Sequence, residues 1–143
     1  MCGLLAGFLL ANAAVATPAS CPNSGSYASL LSTNAAGGCY VEDKLFSDFY
    51  YLTSAVGGAV AVPADQFSYV TIANAPDATG FQFAMALTAL PGQSNDIQVG
   101  WLVTAPSARI TSNHLAMTGV AVGNAVALIT ETFCKGGPVA GCP

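Results

Sequence analysis

Two stretches in the middle of the chain alternate between large apolar residues and mostly small or polar ones. Phe81, Phe83, Met85 and Leu87 alternate with Gln82, Ala84, Ala86 and Thr88, and Ile97, Val99, Trp101 and Val103 alternate with Gln98, Gly100, Leu102 and Thr104. Successive side chains of an extended chain point to opposite faces, so this pattern predicts strands with one dry face. Weaker candidate strands are Leu45–Thr53, Ala59–Val62, Phe67–Ala73, Ile110–Gly119 and Ala125–Phe133. Turn residues separate them: Val56-Gly57-Gly58, Ala75-Pro76-Asp77, Leu90-Pro91-Gly92 and Ala105-Pro106-Ser107. About seven short strands at this spacing predict an all-β fold, an antiparallel β-sandwich or jelly-roll-like arrangement. There is no βαβ rhythm, so a parallel sheet is not expected.

These strands need something to pack against, and the stretch Gly38–Tyr51 supplies it. Tyr40, Phe46, Phe49, Tyr50 and Tyr51 put rings there, and Glu42, Asp43, Lys44 and Asp48 put charge there, in a chain of which only 7% is charged. So low a charge density argues against disorder, because disordered chains are polar and self-repelling. It also argues against nucleic acid as a partner, since Lys44, Arg109 and Lys135 are the only bases and cannot make a phosphate-tracking stripe.

The N-terminus reads as an export signal. Leu4–Ala11 is an apolar run, and Ala14-Val15-Ala16 fits the small-x-small pattern of a cleavage site, which places the mature start at Thr17. The run is short for a membrane span and lacks stop-transfer charges, so no transmembrane span is expected in the mature chain. No Lys or Arg precedes it. Cys21 follows Ala19-Ser20, but Pro18 stands where a lipid-attachment site wants leucine, so plain cleavage is the expectation. Residues 1–16 are therefore assigned as a signal peptide and 17–143 as a single disulfide-stapled domain.

That domain keeps Cys21, Cys39, Cys134 and Cys142. Four cysteines in an exported chain predict two disulfides, for which three connectivities exist. The cysteines lie as two pairs at opposite ends of the chain, so sequential pairing, Cys21–Cys39 and Cys134–Cys142, is expected. Neither spacing matches the close pairs of a zinc site, and no metal or other cofactor is expected. Between the first two cysteines, Tyr27, Leu30 and Leu31 recur at helical spacing behind Ser24 and Ser26, either of which could cap. One short helix is predicted there, ended by Asn34–Gly38.

Several short motifs can then be read together: Gly38-Cys39 with Asp43–Phe49, Gly92-Gln93-Ser94-Asn95-Asp96-Ile97, Val103-Thr104-Ala105-Pro106 and Glu131-Thr132-Phe133-Cys134. The combination resembles exported bacterial proteins of the PEP-CTERM class, which are sorted to the envelope and often co-occur with exopolysaccharide production. The Pro-Glu-Pro motif, apolar helix and basic tail that define the class do not occur in this sequence. The resemblance therefore implies export and is compatible with a β-sandwich. It leaves sorting open, between a truncated copy and a relative that is released, and carries over no catalytic residue.

Candidate chemistry is sparse. His114 is the only histidine, and it has no Gly-x-Ser-x-Gly nucleophile to serve, so it reads as a structural or surface residue. Glu42, Asp43 and Asp48 are close in sequence, but nothing in their spacing sets two carboxyls across a sugar cleft, and Lys44 is a ready ion-pair partner. Asp65, Asp77 and Asp96 fall in predicted loops without the spacing of a calcium loop. Tyr50, Tyr51 and Tyr69 are the candidate ligand-binding residues, because exposed rings stack on the apolar faces of sugars. Tyr50 and Tyr51 should point to opposite faces of their strand, and Trp101 should be buried in phase with Val99 and Val103. The expected function is that of an exported, non-catalytic surface or extracellular-matrix protein, whose partners would be matrix proteins or extracellular polysaccharide. A carbohydrate-binding module for such a polysaccharide is the alternative.

Overall fold

The computed structural model describes residues 16–74, 78–106 and 126–134, with the isolated positions 110, 116, 118 and 123. In chain order the elements are β1 (Ala19–Ser20), β2 (Ser24–Ser26), α1 (Tyr27–Thr33), a 3-10 turn (Asn34–Ala36), β3 (Cys39–Val41), β4 (Lys44–Val56), β5 (Ser68–Asn74), β6 (Ala78–Ala84) and β7 (Ser94–Thr104). Among the described residues the strands form a four-stranded sheet, β1-β3-β4-β7, and a three-stranded sheet, β2-β5-β6. The predicted leader lies outside the described residues except for Ala16.

The two sheets meet through aromatic rings, which makes the fold sandwich-like. Phe46 of β4 packs edge-on against Phe81 of β6 at 4.9 Å, and Trp101 of β7 lies 5.6 Å from Phe83 of β6. Tyr27 opens α1 and sits at the junction, fully buried among Phe49, Tyr51, Phe67 and Phe83. Its hydroxyl donates to the Gly100 carbonyl at 3.0 Å, and burial pushes the phenol well above the ordinary tyrosine range. Ring pairs of this kind add about 0.5–1.5 kcal/mol each beyond the area they bury.

Helix α1 is short because only one of its turns finds apolar cover: Tyr27 and Leu30 are buried and Leu31 packs beside them. Ser26 holds the N-cap position in extended conformation, but its side chain makes no capping bond. The first amides donate instead to the chain ahead of β5, Tyr27 N–H to Phe67 O at 2.6 Å and Ala28 N–H to Ala64 O at 3.2 Å. Ser24, the other predicted cap, lies in β2 and pairs with Val70. The helix tightens into the 3-10 turn and stops at Gly37, which is left-handed at φ 79°.

The lead-in is stapled by a Cys21–Cys39 disulfide with a Cα–Cα distance of 4.8 Å. Closing a loop across 18 residues stabilises by about 3 kcal/mol in the chain-entropy model. The staple holds β1 against β3 in a parallel pair, which corrects the expectation of a wholly antiparallel fold. The excursion through β2 and α1 provides the long crossover that a parallel pair requires. Cys134 is also disulfide-bonded, while its expected partner Cys142 lies outside the described residues.

Strand β4 contains the device that orients the core. Its register against β7 shifts between Ser47 and Tyr50, so Asp48 and Phe49 together oppose one residue. Asp48 takes φ 52°, a β-bulge conformation that resets the alternation. Phe46 and Phe49, three apart, therefore both face the core, at 2% and 3% exposure. The Asn34 carboxamide braces the bulge from the end of α1: its Nδ2 donates to Phe49 O at 2.8 Å, and its Oδ1 accepts from Phe49 N–H at 3.0 Å. Gly38 passes so close to the Phe46 carbonyl and the Ser47 backbone that a Cβ there would collide, and its φ of 105° suits only glycine.

Three expected strands differ. The 59–62 segment is irregular, with Val60 82% exposed. The alternation through Thr88 outlasts its strand: β6 stops at Ala84, where the β5 ladder begins at Ser68, and Met85 and Leu87 are exposed. Residues 126–133 belong to no strand and have no ladder partner among the described residues, and most of Ile110–Gly119 lies outside them.

Candidate functional site

The three candidate tyrosines are held in three different ways. Tyr69 lies in the core at 2% exposure, edge-on to Phe81, with its hydroxyl accepting from Ser29 Oγ at 3.3 Å. A buried ring has no face to offer a ligand, so the expectation for Tyr69 is corrected. Tyr51 packs against the core and donates to Val62 O at 2.8 Å, and its burial raises the phenol pKa. Tyr50 points to the other face of β4, as the alternation requires, and its half-buried ring lies across Gly100, where any Cβ would collide with it. An aromatic ring covering a strand glycine replaces the missing side chain. The structure does not bring the three rings together as one exposed platform. Trp101 is half-buried against Phe81 and Phe83, on the core side with Val99 and Val103.

The acidic side chains of the Glu42–Asp48 cluster are engaged locally. Glu42 sits at φ 55° in the two-residue turn joining β3 and β4, and its Oε2 accepts from Thr79 Oγ1 at 2.7 Å, tying the hairpin to β6 of the other sheet. Asp43 takes a 2.7 Å ion pair with Lys44, which lowers its pKa. Asp48 forms the bulge and is exposed. Asp96, expected in a loop, lies within β7 opposite Ser54 and accepts from Gln98 Nε2 at 3.2 Å. Asp65 is exposed in a turn, and Asp77 and His114 lie outside the described residues. Among the described residues, no group of three His, Cys, Asp or Glu side chains could hold a metal ion, and no helix is long and apolar enough to cross a membrane.

The feature that sequence reasoning missed is a cleft at the far end of the β4–β7 ladder. It has a volume of about 480 Å3 and lies between the connection following β4 and the connection preceding β7. Val60, Val62 and Leu90 give it apolar wall, and Gln66, Thr88, Gln93 and Asn95 give it polar groups. The turns that shape it are tied back to the ladder. Gly57, at φ 71°, approaches the Gly92 carbonyl too closely for any side chain, just beyond the last pair, Val56 with Ser94. Gln93 Oε1 accepts from Leu90 N–H at 3.0 Å and fixes the Leu90–Gln93 turn, which is also closed by Gln93 N–H donating to Leu90 O at 2.9 Å.

Among the described residues the cleft carries no ionisable side chain, and its polar chemistry is that of amides and a hydroxyl. Asn95 is the loosely held member. Its Nδ2 donates to Thr88 O at a long 3.3 Å, and its buried Oδ1 has no hydrogen-bond partner among the described residues. Such an orphan acceptor costs on the order of 1–3 kcal/mol and marks a group suited to reorganisation. Gln93, in the turn before β7, and Asn95, at the start of β7, belong to the Gly92–Ile97 motif, but neither amide stands in a periodicity that would single it out as cleft lining. No protein-family model, curated protein or solved structure matches the chain.

Proposed function

We propose that this protein is an exported, non-catalytic component of the cell surface or extracellular matrix. The observation that carries the reading is the Cys21–Cys39 staple, built into the junction of α1 with the first sheet. Disulfides of this structural kind persist in oxidising compartments and are rare where glutathione keeps thiols reduced. The acidic cluster supports the non-catalytic half of the proposal: Glu42 cross-ties two sheets, Asp43 pairs with Lys44, and Asp48 forms a bulge. The fold reading that accompanies it is a jelly-roll-like β-sandwich, supported by the two ring-packed sheets. The motifs similar to the PEP-CTERM class support export from the side of sequence.

The test is expression of the full chain in a bacterial host, followed by cell fractionation, N-terminal sequencing and thiol alkylation before reduction. The expected result is recovery outside the cytoplasm with a mature start at Thr17 and with Cys21 and Cys39 protected from alkylation. A cytoplasmic protein with both thiols alkylated overturns the reading.

A further inference from the structure

We infer that the cleft beyond the β4–β7 ladder binds a short run of an uncharged glycan. Four properties converge on that ligand class. The volume of about 480 Å3 falls within the range of small-molecule sites, about 300–1,000 Å3. The lining has no charge among the described residues, so an anionic or cationic ligand would lose hydration without gaining a counter-charge from them. Carboxamides offer donors and an acceptor on one rigid fork, which matches adjacent sugar hydroxyls that both donate and accept. Val60 and Leu90 stand as exposed apolar wall, at 82% and 63% exposure, where the C–H face of a sugar ring would rest.

The amides are available for this work. Gln66 is exposed, and its side chain makes no hydrogen bond among the described residues. Gln93 uses its oxygen on Leu90 N–H and keeps its amide hydrogens, with Nε2 beside Gly58 at the cleft wall. Asn95 exchanges a long bond and an orphan oxygen for a better set of partners when it turns toward a ligand. The site is lined largely by exposed residues, so it is accessible from solvent. It is separate from the tyrosines first considered and does not use them. The inference rests on the matrix reading only for where the glycan comes from.

The experiment is a titration of the oxidised full chain with cellohexaose, maltohexaose and mannohexaose, with a polygalacturonate hexamer as the charged control. Side-chain amide NMR signals and calorimetry give the two readouts. Saturable binding of at least one neutral hexasaccharide is expected, with the Gln66, Gln93 and Asn95 amide signals shifting together. Gln66→Ala should weaken that binding about fivefold, the loss of a neutral hydrogen bond. Val60→Lys, on a fully solvated position, should abolish it without changing the backbone spectrum. No binding of any neutral hexamer overturns the inference, as does binding that ignores both variants, and a preference for polygalacturonate overturns the ligand class. Recovery of shortened oligosaccharide would instead sink the non-catalytic reading while leaving the binding site in place.

Discussion

The two ends of strand β4 belong to one ladder and have opposite fates. At the α1 end, the core-side Phe46 and Phe49 are sealed beneath the second sheet, whereas Thr53, on the same face two residues beyond Tyr51, is exposed. Both ends pair with β7 residue by residue, so hydrogen bonding does not distinguish them. Length does. Strand β4 has 13 residues and β7 has 11, while β5 and β6 have 7 each. At roughly 3.3 Å per residue, the long hairpin outruns the second sheet by nearly half its length. What lies under the second sheet becomes core. What projects beyond it becomes a scaffold for the 57–66 and 85–93 connections, and the cleft forms between them. Stability is concentrated where the sheets overlap, and adaptable surface lies where they do not.

The sharpest way to break this contrast is to remove a ring from the overlapped end. Phe46→Ala deletes a side chain that is 2% exposed and packed against Phe81. The expected loss is about 3–5 kcal/mol, the range for emptying a buried aromatic site. Urea unfolding would report it as a lower midpoint at unchanged slope. A loss under about 1 kcal/mol would mean that the overlapped end is not where the sandwich is held together.

The bulge provides a smaller and more selective effect. Asn34→Ala removes both hydrogen bonds to the Phe49 backbone while leaving every core ring in place. The expected cost is about 1–3 kcal/mol, because a backbone donor and acceptor are left without their partner. Asn34→Asp keeps the acceptor for Phe49 N–H and loses the donor, so it should fall between wild type and alanine. Amide hydrogen exchange at Phe49 should accelerate in both variants, with little change at Val99. Equal acceleration along all of β4 would mean that the bulge sets global rather than local stability.

This bulge also marks where the fold stopped being legible in the sequence. The alternation around Trp101 predicted β7 and its dry face, and the helical spacing of Tyr27 and Leu30 predicted α1. Those signals work because the period of a regular element is printed in consecutive residues. Phe46 and Phe49 stand three apart, which neither a flat strand nor its faces can explain. The correction comes from a left-handed Asp48 and from Asn34, fifteen residues upstream, and no local window contains both. The apolar run past Ala84 misled for a related reason. Met85 and Leu87 continue the pattern, but the partner strand has ended, and a strand needs a ladder as well as a period. Tyr69 reads as a candidate ligand-binding ring because its own segment does not reveal that the ring is buried against Phe81 with its hydroxyl on Ser29 of α1. The cleft was the least legible of all, since Gln66 and Asn95 line one cavity only because the connection after β4 lies beside the start of β7.

The smallest effect belongs to the overhang. Thr53→Ser and Ala55→Ser, made together, alter the two core-side positions of β4 beyond Tyr51, of which Thr53 is exposed. If the projecting end is as free of core packing as its exposure states, the pair should change stability by no more than about 0.5 kcal/mol in urea unfolding. The Phe46→Ala loss would then exceed it several-fold on the same strand, and the contrast between the two ends would stand as an energetic fact rather than a geometric one. A loss of 2 kcal/mol or more would reverse it and imply that in solution something covers Thr53 and Ala55. Repeating the unfolding at tenfold lower protein concentration separates the two sources of such cover. A midpoint that falls with dilution assigns the cover to a second copy of the chain, because association shifts stability by mass action. A midpoint that holds assigns it to the chain itself.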